Sequence, residues 1–209
     1  MAVTTLGYAL LGLLTRESCS GYDLGRHLKE PVSFFWQARY SQIYPELAKL
    51  EEQGLVTHTN FEQQGLPDKK IYTITAEGRE TLQRWVVAPM DLPAIRDELI
   101  LKAYSLWLAD PHAALTLFRT HEQYHRERLE QFETFQRKIE EQEEELQDIT
   151  SPLFASYATL QAGLGFEREY IAWCNWIATR LERAIARPTT QGKLEAGSKN
   201  FSIGTHWWV

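Results

Sequence analysis

The sequence predicts a mainly α-helical protein with one small β-hairpin, built from a short-element N-terminal module and a pair of long helices. Two observations support this fold class. Before residue 88, three stretches with apolar residues at helical spacing precede two β-rich runs. From Pro111 to Ile185, apolar residues recur every three or four positions with one interruption, which is typical of long amphipathic helices.

The composition is that of an ordinary globular protein, with 44% hydrophobic and 24% charged residues. No apolar run approaches the roughly 20 residues that a membrane span needs, and Met1 is not followed by a signal-peptide pattern. Cys19 and Cys174 lie far apart without a CxxC motif. We therefore expect a soluble cytoplasmic protein with no membrane partner, no disulfide and no bound cofactor or metal.

The first two helices are predicted from apolar spacing and capping residues. The first should run from about Thr5 to Thr15. The second should begin at Ser20, whose hydroxyl can accept from first-turn amides, and should stop before Pro31. The apolar positions that define them are Leu6, Ala9, Leu10, Leu13 and Leu14, then Tyr22, Leu24 and Leu28.

A third helix is predicted with Ser41 as its cap and with Ile43, Leu47 and Leu50 on its inner face. Pro45 is placed in the first turn, where a missing amide costs least, and Gly54 is expected to close the helix in left-handed geometry.

Residues 55–61 and 69–75 are β-rich runs joined by the polar, Gly- and Pro-containing segment 62–68, which predicts a hairpin. Thr75 can cap a fourth helix that extends through Arg84 and Trp85. Three helices followed by a hairpin is the order of a winged helix-turn-helix, in which the third helix enters the DNA major groove.

The candidate DNA contacts follow from the faces of these elements. With the apolar residues of the third helix turned inward, Gln42, Tyr44, Glu46 and Lys49 are expected to face outward, with Ser41 and Gln42 at the tip. Hydroxyl and amide groups suit base edges and phosphates, and hairpin lysines suit phosphates. Each residue alone could equally be ordinary solvated surface. The candidate set is Tyr22, Ser41, Gln42, Tyr44, Lys49, Lys69 and Lys70.

The net charge of −6 is unevenly distributed. Residues 1–88 carry nine Lys and Arg against ten Asp and Glu, a net of −1, and the remainder carries thirteen against eighteen, a net of −5. Much of the acid lies between Glu140 and Asp148, which indicates a solvated helix end. The N-terminal module must therefore attract DNA through a few placed groups.

Several motifs together resemble the PadR family of transcriptional regulators. They are residues 9–14 (ALLGLL), 20–24 (SGYDL), 41–56 (SQIYPELAKLEEQGLV) and 70–78 (KIYTITAEG), and the resemblance spans about residues 4–87. It implies a DNA-binding regulator in which Tyr44 and the hairpin lysines face DNA. A winged-helix protein-interaction module without DNA binding remains the alternative.

The C-terminal half is predicted to be helical and dimerising. After the linker 88–93, residues 94–108 should form a shorter helix, and a heptad-like seam should run unbroken from Pro111 to Leu146 before Ser151 and Pro152 interrupt it. Glu122, Gln136 and Glu143 make half of one seam row polar, which argues against a dry two-stranded coiled coil. The second long helix should run antiparallel, with a stripe at Leu160, Leu164, Ile171, Cys174, Ala178, Leu181 and Ile185.

Such slender helices cannot bury their stripes alone, so we expect a homodimer bound to a pseudo-palindromic operator. The layout also resembles longer PadR-type regulators and virulence-gene activators, which implies helical C-terminal domains that embrace in the dimer. The expected domains are 1–88 for DNA binding, 94–187 for dimerisation and 188–209 as a tail, whose Trp207 and Trp208 should dock on this or a partner subunit.

His121, Glu122 and His125 fit H-E-x-x-H, the helical zinc-protease signature. Glu167 or Glu169 could supply a third ligand, so a zinc metalloprotease is a remote alternative. A seam role for Glu122 and His125 in a long helix is favoured, and no catalysis is expected.

A set of aromatic residues could line a pocket for a small aromatic effector between the two domains, as the family resemblance suggests. Aromatic residues at helical spacing more often belong to a hydrophobic core. The set is Trp36, Tyr40, Trp107, Trp173 and Trp176.

Overall fold

The computed structural model describes residues 2–28, 39–61, 69–91 and 96–187. In the described part of the N-terminal module, four helices pack with a three-stranded antiparallel sheet in the order β1-β3-β2. Its elements are α1 (Thr5–Leu14), β1 (Cys19–Ser20), α2 (Gly21–His27), α3 (Tyr40–Glu52), β2 (Val56–Phe61), β3 (Lys69–Ile74) and α4 (Ala76–Val86).

Two predicted helix caps are confirmed. The Ser20 hydroxyl accepts from the amide of Asp23, and the Thr75 hydroxyl accepts from the amide of Gly78. Thr4 caps α1 in the same way, through the amide of Gly7. Gly54 closes the α3 segment at φ 73°, the left-handed geometry that its position predicted.

The start of α3 differs from the prediction. The helix begins at Tyr40 after Arg39, so Ser41 lies inside the first turn and does not cap it. Pro45 is consequently the sixth helical residue, where its missing amide leaves the Ser41 carbonyl without its usual helical donor.

β1 is a strand that the sequence did not predict. Its two residues pair with β3, Cys19 opposite Tyr72 and Ser20 opposite Ile71, so the segment before α2 is fixed to the sheet. The elements of the module pack around a hydrophobic core. Its buried members include Leu10, Leu14, Leu24, Ile43, Leu47, Leu50, Val56 and Ile74.

Between residues 96 and 187 the structure has four α-helices: α5 (Glu98–Tyr104), α6 (Pro111–Glu140), α7 (Glu143–Gln147) and α8 (Pro152–Ile185). The predicted helix at 94–108 is wrong in its bounds, because the Asp97 carboxylate caps the helix and residues 106–108 form a 3-10 turn. The predicted unbroken seam is also wrong, since α6 ends at Glu140. Several carboxylates after Glu140 face the negative end of the helix dipole there, which disfavours continuation.

α6 and α8 pack antiparallel, as predicted. Arg119 of α6 contacts Glu182 near the end of α8, while Tyr157 near its start donates to Glu140. Ser151 caps α8 and Pro152 is its first residue. The largest apolar cluster between the helices contains Leu99, Phe118, Cys174, Ile177 and Ala178.

Among the described helices, none combines the length and apolar character needed to cross a lipid bilayer. Cys19 and Cys174 are buried free thiols. Burial raises the pKa of each to about 11, so both remain protonated near neutral pH.

Candidate nucleic-acid interface

The outer face of α3 is polar and lies on one side of the N-terminal module. Ile43, Leu47 and Leu50 are buried against the core and fix which side of the helix faces outward. Four candidate contacts predicted from the sequence are exposed on this helix: Ser41, Gln42, Tyr44 and Lys49.

Tyr44 sits where α2 and α3 cross. A Cβ atom at Gly21 would lie 2.7 Å from Cε1 of Tyr44, so the absence of a side chain at Gly21 allows the ring to pack against α2. The Tyr44 side chain is nevertheless 52% exposed, and Tyr22 on α2 is 61% exposed. Two tyrosines are therefore presented together beside the polar face of α3.

Gln42 has a structural role besides its exposure. Its Oε1 accepts from the backbone amide of Arg39 at 3.3 Å, which satisfies one of the free amides at the start of α3. A replacement at residue 42 must keep an acceptor if the helix start is to be preserved.

Glu46 was predicted to face outward, and this prediction is wrong. It is only 6% exposed, and its Oε1 accepts from the hydroxyl of Thr4 at 2.5 Å. Its Oε2 lies 3.5 Å from Nζ of Lys49. Residue 46 is three positions after Ile43 and four before Leu50, so helical spacing alone could have placed it on the inner face.

The two candidate lysines of the hairpin have different surroundings. Lys70 is exposed, opposite Asn60 of β2. Lys69 is partly covered, and its Nζ lies 2.9 Å from Oδ2 of Asp23 on α2. The pKa of Asp23 is lowered to about 2, chiefly by the hydrogen bond from Ser20 and next by the contact with Lys69. Sequence analysis did not single out Asp23, which lies far from Lys69 along the chain.

Glu122 and His125 of the H-E-x-x-H motif belong to a polar network between α6 and α8, whereas His121 is partly exposed. Glu122 pairs with Arg119 and Arg126 at 2.5 Å each. Burial raises the pKa of Glu122, but hydrogen bonds from the two arginines lower it by more, so the pKa lies below its ordinary value. His125 contacts Glu167, which also lies 3.2 Å from Nε of Arg128. In the described part of the chain, no group of three or more His, Cys, Asp and Glu side chains is arranged to hold a metal ion.

The candidate effector aromatics lie in different surroundings. Tyr40 packs against the core of the N-terminal module, and Trp173 meets Phe118 edge-on between α6 and α8. Trp107 and Trp176 are exposed, Trp176 beneath the guanidinium of Arg180. Trp36 and the terminal Trp207 and Trp208 lie outside the described residues.

The family assignment follows from comparison with known proteins. The model of the transcriptional regulator PadR-like family matches residues 10–84, and that of the virulence activator α C-terminal domain matches residues 95–182. The negative transcriptional regulator PadR of Bacillus subtilis is 34% identical over 179 residues, covering 85% of this chain and 98% of that protein. The chain belongs to the PadR family of transcriptional regulators. The resemblance inferred from the sequence motifs is thereby confirmed.

Solved structures of PadR-family members share this fold. Bacillus subtilis PadR in complex with operator DNA matches with a TM-score of 0.78 at 32% identity, covering 87% of this chain and 99% of that one. The same protein in complex with p-coumaric acid matches with a TM-score of 0.66 at 31% identity, covering 86% and 99%. The Vibrio cholerae virulence activator AphA, at 22% identity, has a TM-score of 0.66 and covers 86% and 99%, which shows the fold alone.

Proposed function

We propose that this PadR-family chain is a transcriptional repressor that binds a pseudo-palindromic operator as a homodimer and is released by a small aromatic acid. Residues 1–88 bind DNA, residues 94–187 dimerise, and residues 188–209 form a tail. The outer face of α3 carries the proposal, because it combines exposed hydroxyl, amide and phenol groups with one lysine.

The polar groups exposed on this face suit an anionic partner. Among residues 41–49, all of which the structure describes, the exposed side chains include no carboxylate, since Glu46 is buried against Thr4. Ser41 and Gln42 offer groups that hydrogen-bond to phosphates and base edges, and Gln can read adenine bidentately.

The relatives support DNA and an aromatic acid as the two ligands. Bacillus subtilis PadR, at 34% identity, has been solved with operator DNA and with p-coumaric acid. This chain covers nearly all of that protein's length, so both its DNA-binding and its helical half have counterparts here.

Exposed apolar side chains support the homodimer. Tyr104, Trp107 and Leu108 lie at the end of α5 and in the following turn, and Trp107 is 82% exposed. Adjacent exposed aromatic and aliphatic groups are unusual on a monomer and mark interaction surfaces. A second copy of the chain would cover them and set two α3 helices about one DNA turn, or a multiple of it, apart.

The direct test is a change that keeps the helix start and alters only the charge of the face. Gln42→Glu retains an acceptor for the amide of Arg39, yet places a carboxylate among the proposed phosphate and base contacts. We expect affinity for the chain's own upstream region to fall at least tenfold, while stability is unchanged or slightly raised by a first-turn carboxylate. Fluorescence anisotropy with labelled duplexes measures the affinity.

Gln123→Glu makes the same change on the exposed side of α6 and should leave DNA affinity unaltered. Equal losses in the two variants would mean that net charge, and not the α3 face, governs binding. If the wild type binds its upstream region no better than a shuffled duplex, the protein-interaction module becomes the better reading.

Release from the operator by a small aromatic acid is tested separately, with p-coumaric acid as the probe. Titration into the preformed protein–operator complex should lower the anisotropy, and an unchanged signal at saturating acid contradicts release. Tyr40 and Trp173 are the half-buried members of the aromatic set, so Tyr40→Leu and Trp173→Leu should weaken the response. Trp176→Leu, at an exposed ring, serves as the control.

A further inference from the structure

One carboxylate, Asp23, contacts two cations next to the proposed DNA-binding face. Its Oδ2 lies 2.9 Å from Nζ of Lys69, and its Oδ1 lies 3.5 Å from a terminal nitrogen of Arg26. Oδ2 also accepts from the Ser20 hydroxyl at 2.6 Å. The carboxylate thus contacts three residues: Ser20, which caps α2, Arg26 within α2, and Lys69, the first residue of β3.

The placement of this cluster gives it consequences for DNA binding. Asp23 follows the exposed Tyr22, and Lys69 precedes the exposed Lys70 at the start of β3. Lys69 and Arg26 would otherwise be two cations beside the tyrosines and α3. The Asp23 side chain is four-fifths buried, at 20% exposure, so it stays in place where a solvated carboxylate would move away.

We propose that Asp23 is a specificity-determining residue, which offsets one of the two positive charges of Lys69 and Arg26 and so limits sequence-independent attraction to the phosphate backbone. The proposal rests on the function proposed above. Sequence-independent affinity comes almost entirely from cations that displace counterions from phosphates. Base contacts from α3 are unaffected by Asp23, so pairing these two cations lowers binding to every sequence and raises the share of affinity that depends on the operator.

The cluster also predicts that two adjacent lysines behave differently. Lys70 contributes a full charge toward DNA, whereas the charge of Lys69 is already balanced. Each phosphate contact changes the slope of log K against log salt concentration by about 0.9. Lys70→Gln should therefore make the slope about one less steep, and Lys69→Gln should change it by much less than one.

The experiment measures affinity of the full chain for its upstream region and for a shuffled duplex over a series of salt concentrations. Asp23→Asn should bind the shuffled duplex about three- to tenfold more tightly at low salt, with a slope steeper by about one. Its preference for the upstream region should fall accordingly. In the Asp23→Asn background, Lys69→Gln should then lower the slope by about one.

Glu77→Gln is the matched control. It removes one carboxylate from the same module and loosens Arg84, which lies 3.6 Å from Glu77 on α4. It should not reproduce the gain, whereas a gain as large as that of Asp23→Asn would assign the effect to net charge and overturn the proposal. A merely structural role for Asp23 predicts weaker binding to both duplexes, which also overturns it.

If Asp23→Asn does not fold by circular dichroism, the two lysine variants decide the matter, and equal slopes for Lys69→Gln and Lys70→Gln contradict the proposal. Failure of the parent function is distinguishable, because it appears in the wild type as equal affinity for the two duplexes.

Discussion

The hydroxyl of Thr4 lies 2.5 Å from Oε1 of Glu46 and ties the start of α1 to the middle of α3. The same hydroxyl oxygen accepts from the amide of Gly7, so one side chain both caps α1 and holds α3. Glu46 is thereby kept away from the outer face, where its charge would repel phosphate. The pair connects the packing of the module with the electrostatic character of its proposed interface.

Removing the carboxylate should therefore reduce stability. Glu46→Ala removes the buried, charged acceptor of the Thr4 hydroxyl and should lower the free energy of unfolding by about 1.5–3 kcal/mol, the range for a hydrogen bond to a charged group. Glu46→Gln keeps an acceptor and should cost less. Urea unfolding followed by circular dichroism measures both. Glu52→Ala, at an exposed carboxylate of the same helix, is the control, and an equal effect there would contradict a special role for the Thr4 contact.

Two glycines should respond oppositely to alanine. A Cβ at Gly78 would lie 2.1 Å from the backbone oxygen of Leu55, so Gly78→Ala forces α4 away from the sheet and should cost about 1–3 kcal/mol. A Cβ at Gly12 meets nothing within 4 Å, so Gly12→Ala should stabilise α1 by about 0.5–1 kcal/mol. Thermal unfolding measures whether each variant is stabilised or destabilised. A Gly78→Ala variant as stable as the wild type would show that α4 does not pack tightly against Leu55.

The buried network of the helical half should be sensitive to loss of Glu167. Its side chain is 1% exposed and contacts His125 and Arg128, so Glu167→Ala leaves the buried His125 and the partly buried Arg128 without their acceptor and should cost about 3 kcal/mol. Glu133→Ala breaks the exposed pair with Arg168 and should cost no more than about 1 kcal/mol. Similar urea midpoints for these variants would mean that the network does not hold α6 to α8.

Acid should weaken the N-terminal module partly through Asp23. Because its folded pKa of about 2 lies below its ordinary 3.8, the ionised carboxylate contributes stability above about pH 4, and this contribution is lost as pH falls from about 4 to about 2. Asp23→Asn should lack this part of the acid-induced loss. Urea midpoints across that range test it, with Glu77→Gln as comparison, and parallel curves for wild type and Asp23→Asn would contradict the assignment.

Local chemistry explains which elements could be predicted from the sequence. Ser20, Thr75 and Gly54 act through neighbouring backbone groups, so their roles are visible in a short stretch of chain. β1 has two residues, too few for an alternating pattern, and it exists because β3 supplies its hydrogen bonds. The start of α3 at Tyr40 was missed because Arg39 is not a typical capping residue.

The candidate interface was predictable to a similar extent. Helical periodicity placed Ser41, Gln42 and Tyr44 on the exposed side of α3. Glu46 was predicted on the same exposed side, and this prediction is wrong because the hydroxyl of Thr4, distant along the chain, holds its carboxylate on the inner side. The pairing of Lys69 with Asp23 joins residues that only the folded sheet brings together, so no local pattern could indicate it.

The central claim, that a homodimer places two α3 helices on one operator, is tested most directly by hydroxyl-radical footprinting of the chain's own upstream region. We predict two protected half-sites related by two-fold symmetry, with centres about 10 base pairs or a multiple apart. Both should be lost with Gln42→Glu and kept with Gln123→Glu. Protection of a single unsymmetrical site, or no protection by folded protein, would contradict the account.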